Sequence, residues 1–290
     1  MSPATKDHGT AAVLTVLMPV NEHHEGFLRE AVGSILAQTD PRWRLVLIGE
    51  ESVRGDLERV LAHPLADARV GLVMNQGRKL AGALNTGMRI ARTDFVAIAL
   101  GDDLWAPDAV EVLAREIAAH PEADFFHSSR RIIDQNGDSL SSVYEARPDV
   151  TLSDFGGAAP VKHLLCWRRE LGLRVGMDES LNSVGPDDYD FPWSMAEAGA
   201  EFRAVPECLY IYRDHRESFR LTTHLPRSHH KREIRRMLRK HGVPEDDIRD
   251  LIAAAEKGQL RQCLYGSRPA RWLRRLTGDD PYRAPREEYR

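Results

Sequence analysis

FVAIALGDDLW, residues 95–105, runs six apolar residues into Gly101 and two adjacent carboxylates, Asp102 and Asp103. The apolar run has the length of a buried strand, and the residues after it leave the core at one end. The same pattern recurs upstream. Val13–Met18, Leu45–Ile48 and Val70–Met74 are further short apolar, β-branched runs. They alternate with Glu25–Gln38, Val53–Ala62 and Lys79–Ala91, where apolar residues return at helical spacing. In the first of these, Phe27, Leu28, Ala31, Ile35 and Leu36 make one face. Strand, helix, strand, repeated, predicts an α/β fold with a mostly parallel sheet and helices on both faces. Ligands of such sheets bind at the carboxyl ends of the strands.

Those ends are polar in all four cases. They carry Asn21 and Glu22, then Glu50 and Glu51, then Asn75, Gly77 and Arg78, then Asp102 and Asp103. Adjacent carboxylates at the end of a buried strand repel unless a cation or hydrogen bonds compensate. Mg2+ or Mn2+ takes one or two such carboxylates and completes its shell with water and substrate phosphate oxygens. The competing reading has Asp103 capping a helix and Asp102 in a turn.

Beyond residue 105 the pattern changes. Pro107–Ala119 reads as a helix, Asp124–Asp134 as a strand, and Gln135–Asp138 as a turn into a returning strand. Val150–Pro160 reads as a loop over the sheet. Asp187–Ala198 reads as a helix whose regular part Pro192 confines to the later turns. Glu201–Tyr212 reads as two short strands broken at Pro206, and Lys231–His241 and Glu245–Lys257 as helices.

A hydrophobic content of 42% with 29% charged residues supports a globular core. The net charge of −4 gives no reason to propose nucleic acid as a partner. From Arg227 onward, however, 17 Lys and Arg stand against 10 Asp and Glu, so the basic surplus is local. His230–His241 suits contact with anionic lipid or a partner protein, and the C-terminal helices together suit contact with a second copy of the chain. His230–His241 equally suits a charged helix packed inward through Ile234, Met237 and Leu238. Cys166, Cys208 and Cys263 fit neither a disulfide framework nor a zinc site, so a reducing compartment is expected. Ala11–Val20 is too short to span a bilayer and lacks a basic leader and a cleavage site. The expected location is the cytoplasm, either free or peripheral to a membrane.

Five stretches follow one another in a telling order. They are Pro19–Glu22, Asn75–Ala91 (NQGRKLAGALNTGMRIA), Leu100–Trp105, Gly176–Leu181 before Asp187–Asp190, and Tyr212–His215 with Ser218. The ordered set, over about Val13 to Phe219, resembles family 2 glycosyltransferases of the GT-A fold. The resemblance implies inverting transfer of a sugar from a nucleotide-diphosphate donor of UDP, GDP or dTDP type to an acceptor hydroxyl. It sets Pro19, Val20, Asn21, Glu22 and Glu50 against the nucleotide base, and Arg78 and Asn85 along the ribose and diphosphate. It gives the metal, Mn2+ or Mg2+, to Asp102, with Asp103 and His215 beside it and Arg213 aiding the diphosphate; Asp102 also contacts donor. Asp188 becomes the general base, with Asp187 next to it on the acceptor side. Residues 1–225 then form the catalytic domain, with the nucleotide-sugar side at about 13–105 and the acceptor side at about 106–225. Residues 226–290 form a basic helical extension.

Three departures stand out. Leu100 occupies the place of an acid two residues before Asp102, Gly49-Glu50 replaces a pair of aspartates, and Asp187-Asp188 replaces a Glu-Asp pair. Two alternatives remain beside the main reading. A nucleotidyltransferase would carry a Gly-rich basic loop after the first strand, where this chain has PVNEHHEG. A non-catalytic nucleotide-sugar-binding relative would need neither Asp188 nor His215. Lys79, His23-His24 and His229-His230 read as surface, and Trp193 as core.

Overall fold

The computed structural model describes residues 11–156, 159–161, 163–181, 187–215 and 227–253. Its first half alternates as expected: β1 (Leu14–Val20), α1 (Glu25–Leu36), β2 (Trp43–Gly49), α2 (Arg54–Val60), β3 (Val70–Met74), α3 (Lys79–Ile90) and β4 (Phe95–Ile98). There follow β5 (Leu104–Trp105), α4 (Ala109–Ala119), β6 (Phe125–Asp134), β7 (Leu165–Arg168), α5 (Arg169–Val175), α6 (Asp187–Glu197), β8 (Phe202–Asp214) and α7 (Arg227–Lys240). A further helical stretch covers 245–253.

One sheet contains every strand, in the order β3-β2-β1-β4-β7-β6-β8-β5. The first four are parallel, β7 runs antiparallel to both β4 and β6, and β8 lies parallel to β6. Register aligns Val20 with Gly49, and Gly49 with Met74, so three strands end side by side.

Strand residues alternate between two apolar layers, as the period of two requires. Val16 and Met18 face a layer built with Leu28, Val32, Ile35, Leu57 and Leu113. Leu17, Ile48 and Val96 face the other, with Leu84, Met88, Leu171, Phe191 and Met195. Met237 and Leu238 of α7 join this second layer, and Ile234 packs against it. Trp193 is 5% exposed and also belongs to it. Among the described residues no helix is long and apolar enough to cross a membrane.

Several local expectations need correction. Residues 202–214 form one strand, because a β-bulge between Ser128 and Arg130 of the partner register absorbs Pro206. The turn at 135–138 forms, but the chain returns only through isolated bridges, Ile133 to Ser139 and Arg130 to Tyr144. Pro192 lies inside α6, which starts at Asp187 regardless. The ring removes the N–H that would bond the carbonyl four residues earlier and crowds that carbonyl, yet the helix runs through it. Pro107 precedes α4 by two residues.

Glycine matters where α3 begins. A Cβ on Gly82 would meet the Gly77 carbonyl carbon at 2.5 Å, whereas one on Gly33 of α1 would meet nothing within 4 Å. Gly82→Ala should therefore destabilise by about 1–3 kcal/mol through overpacking. Gly33→Ala should stabilise by about 0.5–1 kcal/mol through helix propensity. Urea unfolding of the two variants checks both signs.

Candidate active site

The strand order runs β3-β2-β1 and then turns back to β4 on the other side of β1, and the crevice outside the carboxyl ends of β1 and β4 is where such sheets bind ligands. Asn21 and Glu22 stand exposed after β1. Glu50, after β2, donates its backbone N–H to the Val20 carbonyl at 3.3 Å and accepts from Asn75 Nδ2 on Oε1 at 2.7 Å. Asn75 Oδ1 accepts from the Gly77 N–H at 2.8 Å, which turns the loop back toward α3. Three strand ends thus form one polar rim, while Val20, 5% exposed, packs into the core at the end of β1.

The paired aspartates diverge. Asp103 is 2% exposed, and both its oxygens are engaged: Oδ2 accepts from the Tyr210 hydroxyl and Oδ1 from the Arg213 N–H, each at 2.7 Å. Burial, then the neighbouring Asp102 charge, pushes the Asp103 carboxyl well above the usual carboxylate range, while the Arg213 and Tyr210 hydrogen bonds pull it down. The Tyr210 phenol is likewise pushed up, by burial and then by Asp103. Asp102 instead keeps a 36% exposed side chain, with Oδ2 3.2 Å from His215 Nε2. The metal expectation for Asp103 thus meets a carboxylate turned into the protein. It acts as a brace under Asp102.

Arg213 also lies behind the pair. Its guanidinium is 2% exposed, donates from Nε to the Asp102 carbonyl at 3.0 Å and pairs with Glu30. Phe27 lies 4.5 Å beneath it, and the same ring stands 4.9 Å from His215. The end of β8 is brought there by its pairing with β5, Leu104 with Ile211 and Trp105 with Tyr210. Arg213, expected at the diphosphate, therefore fixes the backbone that presents Asp102.

Arg78 and Asn85 depart in another direction. Arg78 donates its N–H to Glu179 Oε2 at 2.9 Å. Asn85 donates to the Met177 carbonyl at 3.0 Å and accepts the Met177 N–H at 2.9 Å. The start of α3 is thereby bonded to the 177–179 segment, and an exposed Arg78 remains at the rim. Asp187 and Asp188 open α6, and their side chains lie outside the described part. Lys79 is exposed as expected. His23 is not a surface residue: its side chain is 7% exposed and sits 3.1 Å from Asp56. His24 is exposed and caps α1, while the side chains of His229 and His230 lie outside the described part.

Among the described residues no three His, Cys, Asp or Glu side chains converge as a metal cage. One half-exposed carboxylate with one imidazole does fit Mg2+ or Mn2+, which are held by few protein groups and completed by phosphate oxygens. Tyr210 and Glu30 were not singled out from sequence, Phe27 was read only as part of an apolar helix face, and Glu179 only as part of the Gly176–Leu181 stretch. The one signal for Tyr210 was its place three residues before Arg213 on a strand that ends in the site.

A parallel-sheet nucleotide fold with acids at its switch point defines a class, and comparison with known proteins narrows it. Residues 15–157 match the model described as glycosyl transferase family 2. The O-antigen biosynthesis protein RfbC of Myxococcus xanthus is 27% identical over 210 residues, 70% of this chain and 16% of that protein. The chain thus spans only a small part of the length of this curated relative. S. aureus TarS 1-349 in complex with UDP-GlcNAc shares the fold, with a TM-score of 0.59 at 16% identity over 77% of this chain and 65% of that one. So does a mannosyltransferase of Pyrobaculum calidifontis in complex with GDP-Man and Mn2+, with a TM-score of 0.56 at 19% identity over 93% and 80% of the two chains. The fold is GT-A.

The raised Asp103 carboxyl makes a pH prediction. A folded value above the unfolded one contributes stability that is complete below the ordinary carboxylate range and is lost as pH rises through the folded value. Asp103→Asn, fixed in the neutral form, should therefore gain on the wild type as pH rises. Urea unfolding across that range with a chelator present checks it; a gap that shrinks or stays constant contradicts it.

Proposed function

We propose that the chain catalyses inverting transfer of a sugar from a nucleotide-diphosphate donor to an acceptor hydroxyl. The observation that carries this is the Asp102–His215 pair, a 36% exposed carboxylate beside an 8% exposed imidazole, braced from behind by Asp103 and Arg213. UDP-, GDP- and dTDP-type donors all suit the rim. Complexes of TarS with UDP-GlcNAc and of the mannosyltransferase with GDP-Man support the donor class.

In this reading the nucleobase lies over Pro19–Glu22, and Glu50, held by Asn75, accepts a hydrogen bond from it. Glu is longer than the aspartate common at this place, so it reaches the base from further back. Arg78 at the start of α3, whose Nη2 donates to the Glu179 carbonyl at 3.3 Å, carries further guanidinium N–H groups that suit phosphate oxygens. Asp102 and His215 would hold Mn2+ or Mg2+, which when bound supplies positive charge to the departing diphosphate. Leu100 contributes no acid there, so the protein's own anionic share rests on Asp102.

Asp188, beside Asp187 at the first turn of α6, takes the proton from the acceptor hydroxyl. The acceptor oxygen forms its bond to the anomeric carbon from the face opposite the leaving group. The bond to the diphosphate breaks, its electron pair leaves with the diphosphate, and the configuration inverts.

Asp188→Asn should cut release of nucleoside diphosphate in the presence of donor and acceptor by at least about 100-fold, the usual range for a general base. Thermal stabilisation by the nucleotide should remain. Wild-type turnover in that variant, measured with a panel of UDP-, GDP- and dTDP-sugars, contradicts the assignment.

A further inference from the structure

Basic side chains at the end of α7 reach across to the acceptor-side segment. Lys240 Nζ lies 2.8 and 2.7 Å from the two carboxylate oxygens of Asp190 and 3.4 Å from Asp178. His241 directs Nε2 to Asp190 at 3.0 Å and Nδ1 to Glu197 at 2.8 Å. Its ring lies flat on Trp193, with centroids 4.1 Å apart and planes 5° from parallel. One turn earlier, Arg236 donates to the Ser180 carbonyl at 3.1 Å and to its hydroxyl at 2.8 Å. Asp190 is 1% exposed, and the His241 ring is fully buried.

Buried charge on this scale destabilises unless each group is paired and hydrogen-bonded. Here each is. Both ring nitrogens of His241 face a carboxylate, Asp190 on one side and Glu197 on the other. Met237 and Leu238 already bury apolar surface against the sheet, and the ionic cluster adds what they cannot. A fully satisfied buried network admits one arrangement of its partners, whereas apolar contacts slide. Asp190 belongs to the first turn of α6, the turn on which Asp187 and Asp188 stand.

We propose that Lys240 and His241 are positioning residues for transfer: they pin the first turn of α6, and with it Asp188, against the acceptor. The proposal rests on Asp188 as the base. Without the latch the donor-side residues of β1, β2, β4 and the end of β8 keep their own contacts, and Arg78 at the start of α3 is reached only through Asp178, the neighbour of its partner Glu179. The base then samples several placements, and misplacement of a reacting group by about 1 Å costs on the order of 100-fold in rate.

The test uses the full chain with His241→Phe, which keeps a flat ring on Trp193, and Lys240→Met, which keeps the aliphatic stem. At saturating donor, kcat should fall about ten-fold or more in each, for the same geometric reason. Donor KM and stabilisation by nucleoside diphosphate should stay at wild-type values, and Lys240→Arg should recover most of kcat. Where a buried substitution lowers the yield of folded protein, Glu197→Gln carries the same test, since that acid is 40% exposed. Folded latch variants with wild-type kcat overturn the proposal. So does a loss of kcat matched by an equal loss of nucleotide binding, or Lys240→Arg no better than Lys240→Met. Wild-type turnover in Asp188→Asn removes the base assignment instead, so the two failures are distinguishable.

Discussion

The buried contact between Asp103 and the end of β8 is the constraint on which the site depends. Asp103 accepts the Arg213 N–H and the Tyr210 hydroxyl, and Arg213 in turn grips the Asp102 carbonyl. A carboxylate in this setting is costly to bury, and its raised proton affinity records that cost. The arrangement persists because every polar atom in it has a partner. Its consequence is directional: with Asp103 turned inward, backbone geometry leaves Asp102 turned outward, beside His215. A strand from the far end of the chain thereby completes a site begun at residue 102.

The parallel register does the rest of the placement. β1, β2 and β3 stop level with one another, so the residues after each meet at one rim. The acceptor side is tied to that rim from two directions. Glu179 and Met177 bond Arg78 and Asn85 at the start of α3, and α7 holds Asp178, Ser180 and Asp190. The nucleotide side and the acceptor side are therefore coupled by hydrogen bonds as well as by the shared apolar layer.

Much of this was legible in the sequence. Apolar runs and helical spacing located β1 to β4 and α1 to α3 within a few residues, because each burial face imposes its own period. The polar strand ends and the order of the motifs located the crevice and the family. What sequence could not supply was partner choice. Nothing local distinguishes Asp102 from Asp103; the difference is made by Tyr210 and Arg213, more than a hundred residues away. Arg213, Asn85 and Arg78 have side chains suited to phosphate or ribose, yet all three are drawn into protein hydrogen bonds by segments distant in sequence. Pro206 was read as a break and Pro192 as confining its helix to the later turns, whereas a bulge accommodates the first and α6 starts at Asp187, ahead of the second.

The central claim is that Asp102 and His215 present a divalent cation to a nucleotide diphosphate at the switch point. The most direct measurement is the thermal stabilisation of wild type and Asp102→Asn by UDP, GDP and dTDP, each with and without Mn2+. A ligand that binds only the folded state raises its stability with concentration over dissociation constant. The account requires that at least one nucleotide stabilise the wild type more with Mn2+ than without, and that Asp102→Asn remove that increment. Equal stabilisation with and without Mn2+, or an increment that survives in Asp102→Asn, contradicts it.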